Sequence, residues 1–170
     1  EQGNFGRSHD TFRKLLQEKP RYKLEAYIGM GNASLAQNDT DKAEVEFTEA
    51  LRVNRRSEAA RIGLAKVDIR KRKFSEAEEI LRDISESNTT ELGAEAQYNL
   101  GILRQEQGLY NDAIDEYAKV RVLYEAFSEW VAKSLFETAR CQITLENRGQ
   151  AMSALNTIVS DYPGTRTALE

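Results

Sequence analysis

The chain has 170 residues, 40% of them hydrophobic and 31% charged, enough for an apolar core under an ordinary polar surface. Its net charge of −4 and pI near 5.3 argue against a polyphosphate partner, which needs a surplus of Lys and Arg on one face. No apolar run approaches the roughly 18 residues that span a bilayer, and the single Cys141 excludes an internal disulfide or a cysteine metal cluster.

The opening, EQGNFGRSHD, has no basic stretch followed by an apolar one and no initiator Met. The expectation is a processed chain or a piece of a longer one, with its compartment left open. From there the hydrophobic pattern predicts helices at 4–17, 22–37, 40–53, 57–71, 74–86, 91–107, 110–125, 128–146 and 148–161.

Alternate helices are copies of one another. A small residue opens each: Ser8, Ala43, Ala77, Ala113 and Ala151, at steps of 35, 34, 36 and 38 residues. Four positions on stand Phe12, Phe47, Leu81, Tyr117 and Leu155, and three beyond those Leu15, Ala50, Ile84, Val120 and Ile158. That i, i+4, i+7 spacing is one face of an α-helix. Two residues before the small column come Gly6, Asp41, Ser75, Asn111 and Gly149, all favoured N-cap types, and Asp41-x-x-Glu44 and Ser75-x-x-Glu78 read as capping boxes.

The intervening helices carry Met30-Gly31, Leu64-Ala65, Leu100-Gly101 and Thr138-Ala139. Gly or Ala there predicts close helix–helix approach. Pro20 and Pro163 stop a unit, whereas Arg55, Thr89 and Glu125 stand at that point in the middle copies and predict weaker stops.

The stretch Tyr98 to Val120 places Leu100-Gly101, Gly108, Tyr110, Ala113, Tyr117 and Val120 at the spacing of the tetratricopeptide repeat (TPR). The chain resembles that family from about Gly3 to Pro163, with Tyr27 in the signature Trp column of the first full copy. The second copy departs from it, with Arg61, Asp68 and Arg72 in signature columns. The resemblance implies an all-α, right-handed superhelical solenoid of antiparallel helix pairs, whose first helices line a concave surface that holds a peptide or partner helix. It divides the chain as one array: a partial repeat at 1–20, repeats at 22–56, 57–90, 91–127 and 128–164, and the start of a further helix at 165–170. Both ends read as cuts through a longer array, which leaves self-association through exposed end faces as the alternative function. The last unit's NTIVSDYPGT is similar to variants common in bacterial envelope proteins, and bacterial cytoplasm and periplasm are both compatible.

Projecting the first helices inward predicts a binding face of Ile28, Asn32 and Leu35; Ile62, Lys66 and Arg70; Tyr98, Ile102 and Gln105; and Phe136, Arg140 and Ile143. Apolar anchors among Lys66, Arg70 and Arg140 suit a peptide with apolar and acidic residues. A carboxylate clamp of the chaperone-tail type is not expected, because two of its five positions match at best. Acidic pI and uneven repeat spacing count against an RNA reader.

No catalytic, cofactor or metal site is expected. His9, the only histidine, reads as a surface residue, and Cys141 as a packed, inert thiol. Glu76, Glu78, Glu79, Asp112, Asp115 and Glu116 read as first-turn carboxylates favoured by the helix dipole. The run Arg70-Lys71-Arg72-Lys73 reads as a solvated turn. Tyr124, Phe127 and Trp130 read as packing between lengthened helices, with an exposed aromatic patch as the alternative.

Overall fold

The protein's structure, a computed structural model, describes residues 2–169. It holds α1 (Gln2–Glu18), a 3-10 turn (Pro20–Tyr22), α2 (Lys23–Ala36), α3 (Thr40–Val53), α4 (Glu58–Arg70) and α5 (Phe74–Ser87). These are followed by α6 (Glu91–Glu106), α7 (Tyr110–Leu123), α8 (Ser128–Thr144), α9 (Arg148–Asp161) and α10 (Arg166–Leu169). The described residues contain no strand, and every predicted helix is found within two residues of its expected ends. The chain divides into two compact units, Glu1–Ile80 and Leu81–Glu170.

In the first unit, α2 and α3 pack as a pair around Phe47, which is fully buried. The small residues of the neighbouring helices exist for this ring. A Cβ added at Gly31 would lie 2.7 Å from it, and one at Gly63 on α4 would lie 2.2 Å away. One aromatic side chain is thus wedged between two first helices, and only glycine on each lets the backbones close around it.

The second unit repeats the device with Tyr117, 1% exposed, against Gly101, where an added Cβ would fall 2.2 Å from the ring. The column residues Ala113, Val120, Ala151 and Ile158 are buried as their spacing requires. The Ser8 side chain lies outside those described.

The turns inside each pair are also copies. Asn38, Arg72, Gly108 and Glu146 all have φ between 59° and 79°, the left-handed region. In the first of them the N–H of Asn38 reaches Leu35 O and that of Asp39 reaches Ser34 O, at 3.0 and 2.9 Å, and the other three turns repeat the pattern. This is the Schellman closure, which satisfies the last carbonyls of a helix.

That closure corrects the expected N-caps. The second helix of a pair starts one residue after the C″ residue, so the caps are Asp39, Leu109 and Asn147 rather than Asp41, Asn111 and Gly149. Asp39 accepts the Lys42 N–H at 3.2 Å. Ser75 lies within α5 and Gly6 within α1, so neither begins a helix, and the expected capping boxes are not formed as such. Asp41 sits instead in the first turn, where its charge favours the dipole.

Between pairs the chain turns without needing proline. Asn54 N–H reaches Ala50 O and Ser57 N–H reaches Asn54 O at 2.9 and 3.1 Å, and the same bonds recur at Tyr124–Phe127 and at Tyr162–Thr165 around Pro163. The stop is made by backbone hydrogen bonding, so the junctions at Arg55 and Glu125, expected to be weaker, carry the same bonds as the one at Pro163.

Candidate functional site

The second unit brings the expected inward residues together. Along α6, Tyr98, Ile102 and Gln105 follow one helical stripe and are all half-buried. Along α8, Phe136, Arg140 and Ile143 follow another and are exposed, Phe136 to 44% and Ile143 to 59%. Tyr98, Lys133, Phe136, Glu137 and Thr167 line a depression of about 310 Å³, closed on one side by α10. Glu129 holds α10 in place, accepting the Arg166 N–H and the Thr167 hydroxyl, both at 2.9 Å.

Tyr98 is built into the core as well as into this depression. Its ring lies 5.7 Å from that of Tyr117 and 5.4 Å from that of Trp130, both tilted. Burial pushes its hydroxyl pKa well above the ordinary tyrosine range. Tyr124, Phe127 and Trp130 pack in the same cluster with Ala94, Val120 and Val131. Tyr124 is 3% exposed and donates to Ser85 O at 2.6 Å, while Trp130 Nε1 donates to Glu91 at 3.2 Å. The aromatic trio is therefore core packing at the long joint.

Next to the apolar depression runs a polar one. A cavity of about 620 Å³ opens between the ends of α6 and α8, lined by Gln105, Gln107, Tyr110, Arg140, Ile143 and Thr144. Gln105 Oε1 accepts from the Tyr117 hydroxyl at 3.0 Å and from Cys141 Sγ at 3.3 Å. Its Nε2 donates to Glu137 at 3.3 Å, and Glu137 accepts from Arg140 at 2.9 and 3.0 Å. The Glu137 charge raises the Arg140 pKa above its usual value. Cys141, 1% exposed, has its thiol pushed up to about 11 by burial, so it is a packed thiol in the protonated form at neutral pH.

With the paired helices, the glycine wedges and this face described, the sequence comparisons decide the family. Profiles described as tetratricopeptide repeat match residues 34–93, and again residues 95–125 and 133–165. The chain belongs to the tetratricopeptide-repeat family. Solved TPR folds resemble it along most of its length. YrrB, a TPR protein with an unusual peptide-binding site, aligns with a TM-score of 0.57 and 21% identity, over 98% of this chain and 82% of that one. MamA aligns at 0.60 and 17% identity, over 95% and 90% of the two chains. BtubC from P. vanneervenii aligns at 0.66 and 16%, over 96% and 72%. Identities this low carry the fold alone. Among curated proteins, none matches the sequence significantly.

TPR repeats form protein–protein interaction scaffolds, which is the class of this chain, and the family is generally non-enzymatic. No described helix is long and apolar enough to cross a membrane. In the first TPR unit the expected face is differently dressed. Ile28 and Lys66 are half-buried and Asn32 is exposed, but Ile62 is 1% exposed and Leu35 6%, so both lie in the core. An inward projection fixes a side chain's direction but not how deeply its neighbours cover it. Arg70 is exposed and donates to Asn38 Oδ1 at 2.6 Å.

The rest of the basic run is committed too. Lys71 bridges Asp41 and Glu44 at 2.7 and 2.8 Å, hydrogen bonds that raise its pKa and lower that of Asp41. Lys73 is 3.8 Å from Asp68, and the Arg72 guanidinium is 5.2 Å from the Phe74 ring. The run is a set of turn contacts more than a free cationic patch.

Sequence reasoning passed over Glu46 and read Glu116 as a first-turn carboxylate, and the structure buries both. Glu46 and Glu116 each precede the wedged aromatic of their repeat and are buried, at 5% and 6% exposure. Glu46 accepts from Ser34 Oγ and meets His9 Nε2, both at 2.6 Å, so His9 is a core residue, 3% exposed, and not a surface one. Glu116 accepts from Gln97 at 2.7 Å, Lys119 at 2.8 Å and Arg82 at 3.3 Å. Of the carboxylates read as first-turn, only Glu76 and Asp112 lie there. The available signal was position: a residue adjacent to a buried aromatic on an amphipathic helix borders the core.

Proposed function

We propose that the inner face of α6 and α8 binds a helix or peptide of a partner protein, with Tyr98, Ile102 and Phe136 as apolar anchors and Arg140 as the polar neighbour. The observation that carries this reading is Phe136, an aromatic side chain left 44% exposed beside a depression floored by Tyr98. Exposed aromatics next to a preformed hollow bury large area at low entropic cost when a ligand arrives. On the first unit the same role falls to Ile28, Asn32, Lys66 and Arg70, while Ile62 supports from within the core. The peptide-binding site of YrrB, a protein of similar fold, supports the class of ligand. Net charge of −4 and the internal commitments of the 70–73 run favour a protein ligand over nucleic acid.

The test is a displayed peptide library selected on the intact chain. Phe136→Ala should weaken the selected peptides by at least about tenfold, at low and high salt alike. Glu79→Lys, on exposed α5 surface, should leave them unchanged. Selected peptides that bind Phe136→Ala as well as the parent would end this reading.

A second reading has its own observation. Met152 and Val159, 59% and 65% exposed, lie seven residues apart along one side of α9 with half-buried Leu155 between them. That stripe suits self-association through the last helices. A light-scattering mass that stays monomeric across a dilution series would remove it.

A further inference from the structure

We infer that Arg140 is a preorganised carboxylate receptor, so that the face takes helical segments carrying Asp or Glu four residues from the apolar side chain seated at Phe136. This rests on the binding face proposed above and adds the chemistry of its ligand.

The geometry begins in the core. The Tyr117 hydroxyl and the Cys141 thiol both point at Gln105 Oε1, which fixes the orientation of that amide and turns its NH2 group to Glu137. Glu137 is 8% exposed and accepts from Gln105 and, through both oxygens, from Arg140 Nη1. The carboxylate is therefore sunk and satisfied, while 57% of the Arg140 side chain remains open to solvent. The group of this ion pair that faces solvent is the guanidinium, in a cavity whose rim also carries the exposed Glu106. Arginine carries five donors in a rigid fork, so an anchor through Nη1 is compatible with a second carboxylate.

Lys133, the other cation beside the depression, is placed differently. Its Nζ sits 4.4 Å over the Trp130 ring and 3.8 Å from Glu129, the same carboxylate that holds α10. It belongs to the α8–α10 corner. Arg140 instead opens on the polar cavity one helical turn from Phe136. Side chains four apart on a helix have Cβ atoms about 5–6 Å apart. A ligand helix lying along α8 offers the same interval between its own residues four apart, which gives the register.

The experiment displays peptides of about 16 residues, long enough to form a helix, and selects them on the intact chain and on its Arg140→Glu variant. On the parent, Asp or Glu should be enriched four residues from the dominant apolar position, on either side. On Arg140→Glu, Lys or Arg should replace them. Changing that Glu to Gln in a selected peptide should weaken binding to the parent about fivefold, as expected for a partly exposed ion pair, and should not weaken binding to Arg140→Gln. An acidic preference at a spacing of two, the mark of an extended ligand, would overturn the inference. So would no acidic preference, or one that survives Arg140→Glu. If Phe136→Ala still abolishes binding in those cases, the face stands and only its carboxylate register falls; if Phe136→Ala has no effect, the face itself is wrong.

Discussion

Glu46 and Glu116, the buried carboxylates that each precede a wedged aromatic, are satisfied by opposite means. In the first unit Glu46 and its partner His9 have side chains only 6% and 4% exposed, and the third member, Ser34, is 1% exposed. In the second unit Glu116 is equally sunk, but its cations reach out from the surface, with Arg82 38% and Lys119 47% exposed. The partners of the first site are buried with it, whereas those of the second are partly exposed. The position is shared and the acid is the same, so the difference isolates what burial of the partners does.

The aromatic wedge beside each carboxylate provides the largest expected effect and the check that both units use one packing rule. Gly63→Leu in the first unit and Gly101→Leu in the second should each cost about 3 kcal/mol, the upper end of overpacking. In both, even a Cβ would fall 2.2 Å from a ring that has no room to retreat. Gln107→Leu, at the helix end, is the control and should change little. A denaturation midpoint for Gly101→Leu equal to that of Gln107→Leu would show that Tyr117 can yield where Phe47 cannot.

The carboxylates come next in size. Glu46→Ala strands the buried His9 and Ser34 and should cost about 2 kcal/mol, because an unsatisfied buried polar group costs about 1–3 kcal/mol. Glu116→Ala removes one of the two acceptors of the Gln97 amide, whose bond to the Glu116 backbone carbonyl at 3.0 Å survives, and Arg82 and Lys119 can rehydrate, so it should cost only about 1 kcal/mol. Equal costs would break the comparison. The second site also has a pH signature. Burial pulls the Glu116 pKa up, but hydrogen bonds from Lys119 and Gln97 and the charges of Lys119 and Arg82 outweigh it, and the net shift is downward. A depressed folded pKa gives stability that is fully present above the unfolded value near 4.3 and is lost as pH falls through the folded one. The penalty of Glu116→Gln, read as a midpoint difference, should therefore hold from pH 7 to about 5 and fade below about pH 4. A penalty unchanged at pH 3 would mean that the charge contributes nothing.

How much of this was legible in the sequence depends on what carries the signal. The helices were legible because the buried columns recur at helical spacing, and Ala43, Phe47 and Ala50 or Ala113, Tyr117 and Val120 have no other reason to do so. The starts of the second helices at 40, 110 and 148 were legible, but their caps were placed two residues late, because Asp41, Asn111 and Gly149 look like caps while the true closure is a backbone motif. Two of its four left-handed residues, Arg72 and Glu146, have no sequence signature for that conformation. On the proposed binding face, the placement of Tyr98, Phe136 and Arg140 on helical stripes was legible by projection from Gly101 and Ala139. The burial of Ile62 was not, nor was the chain from Tyr117 through Gln105 to Glu137. Those depend on side-chain contacts between helices that periodicity does not register.

The left-handed residues give the smallest and most discriminating expectation, from one substitution in the first unit and two in the second. A non-glycine residue held at positive φ costs about 1–2 kcal/mol relative to glycine, which has no Cβ to clash. Glu146 is exposed and φ is 61°, so Glu146→Gly should stabilise the second unit by about 0.5–1 kcal/mol after the greater entropy of an unfolded glycine is counted. Arg72 has φ 59°, but its guanidinium lies over Phe74, a contact worth about 0.5–1 kcal/mol at an exposed site. Arg72→Gly should therefore be close to neutral. Gly108→Ala, with φ 79° and open space around a new methyl, tests the backbone alone and should destabilise by about 1 kcal/mol. Thermal midpoints of the three variants, measured beside the parent, should fall in the order Glu146→Gly, Arg72→Gly, Gly108→Ala. If Arg72→Gly gains as much as Glu146→Gly, the Phe74 contact contributes nothing and the two turns are energetically alike. If Gly108→Ala is neutral, the shared closure is not set by left-handed strain.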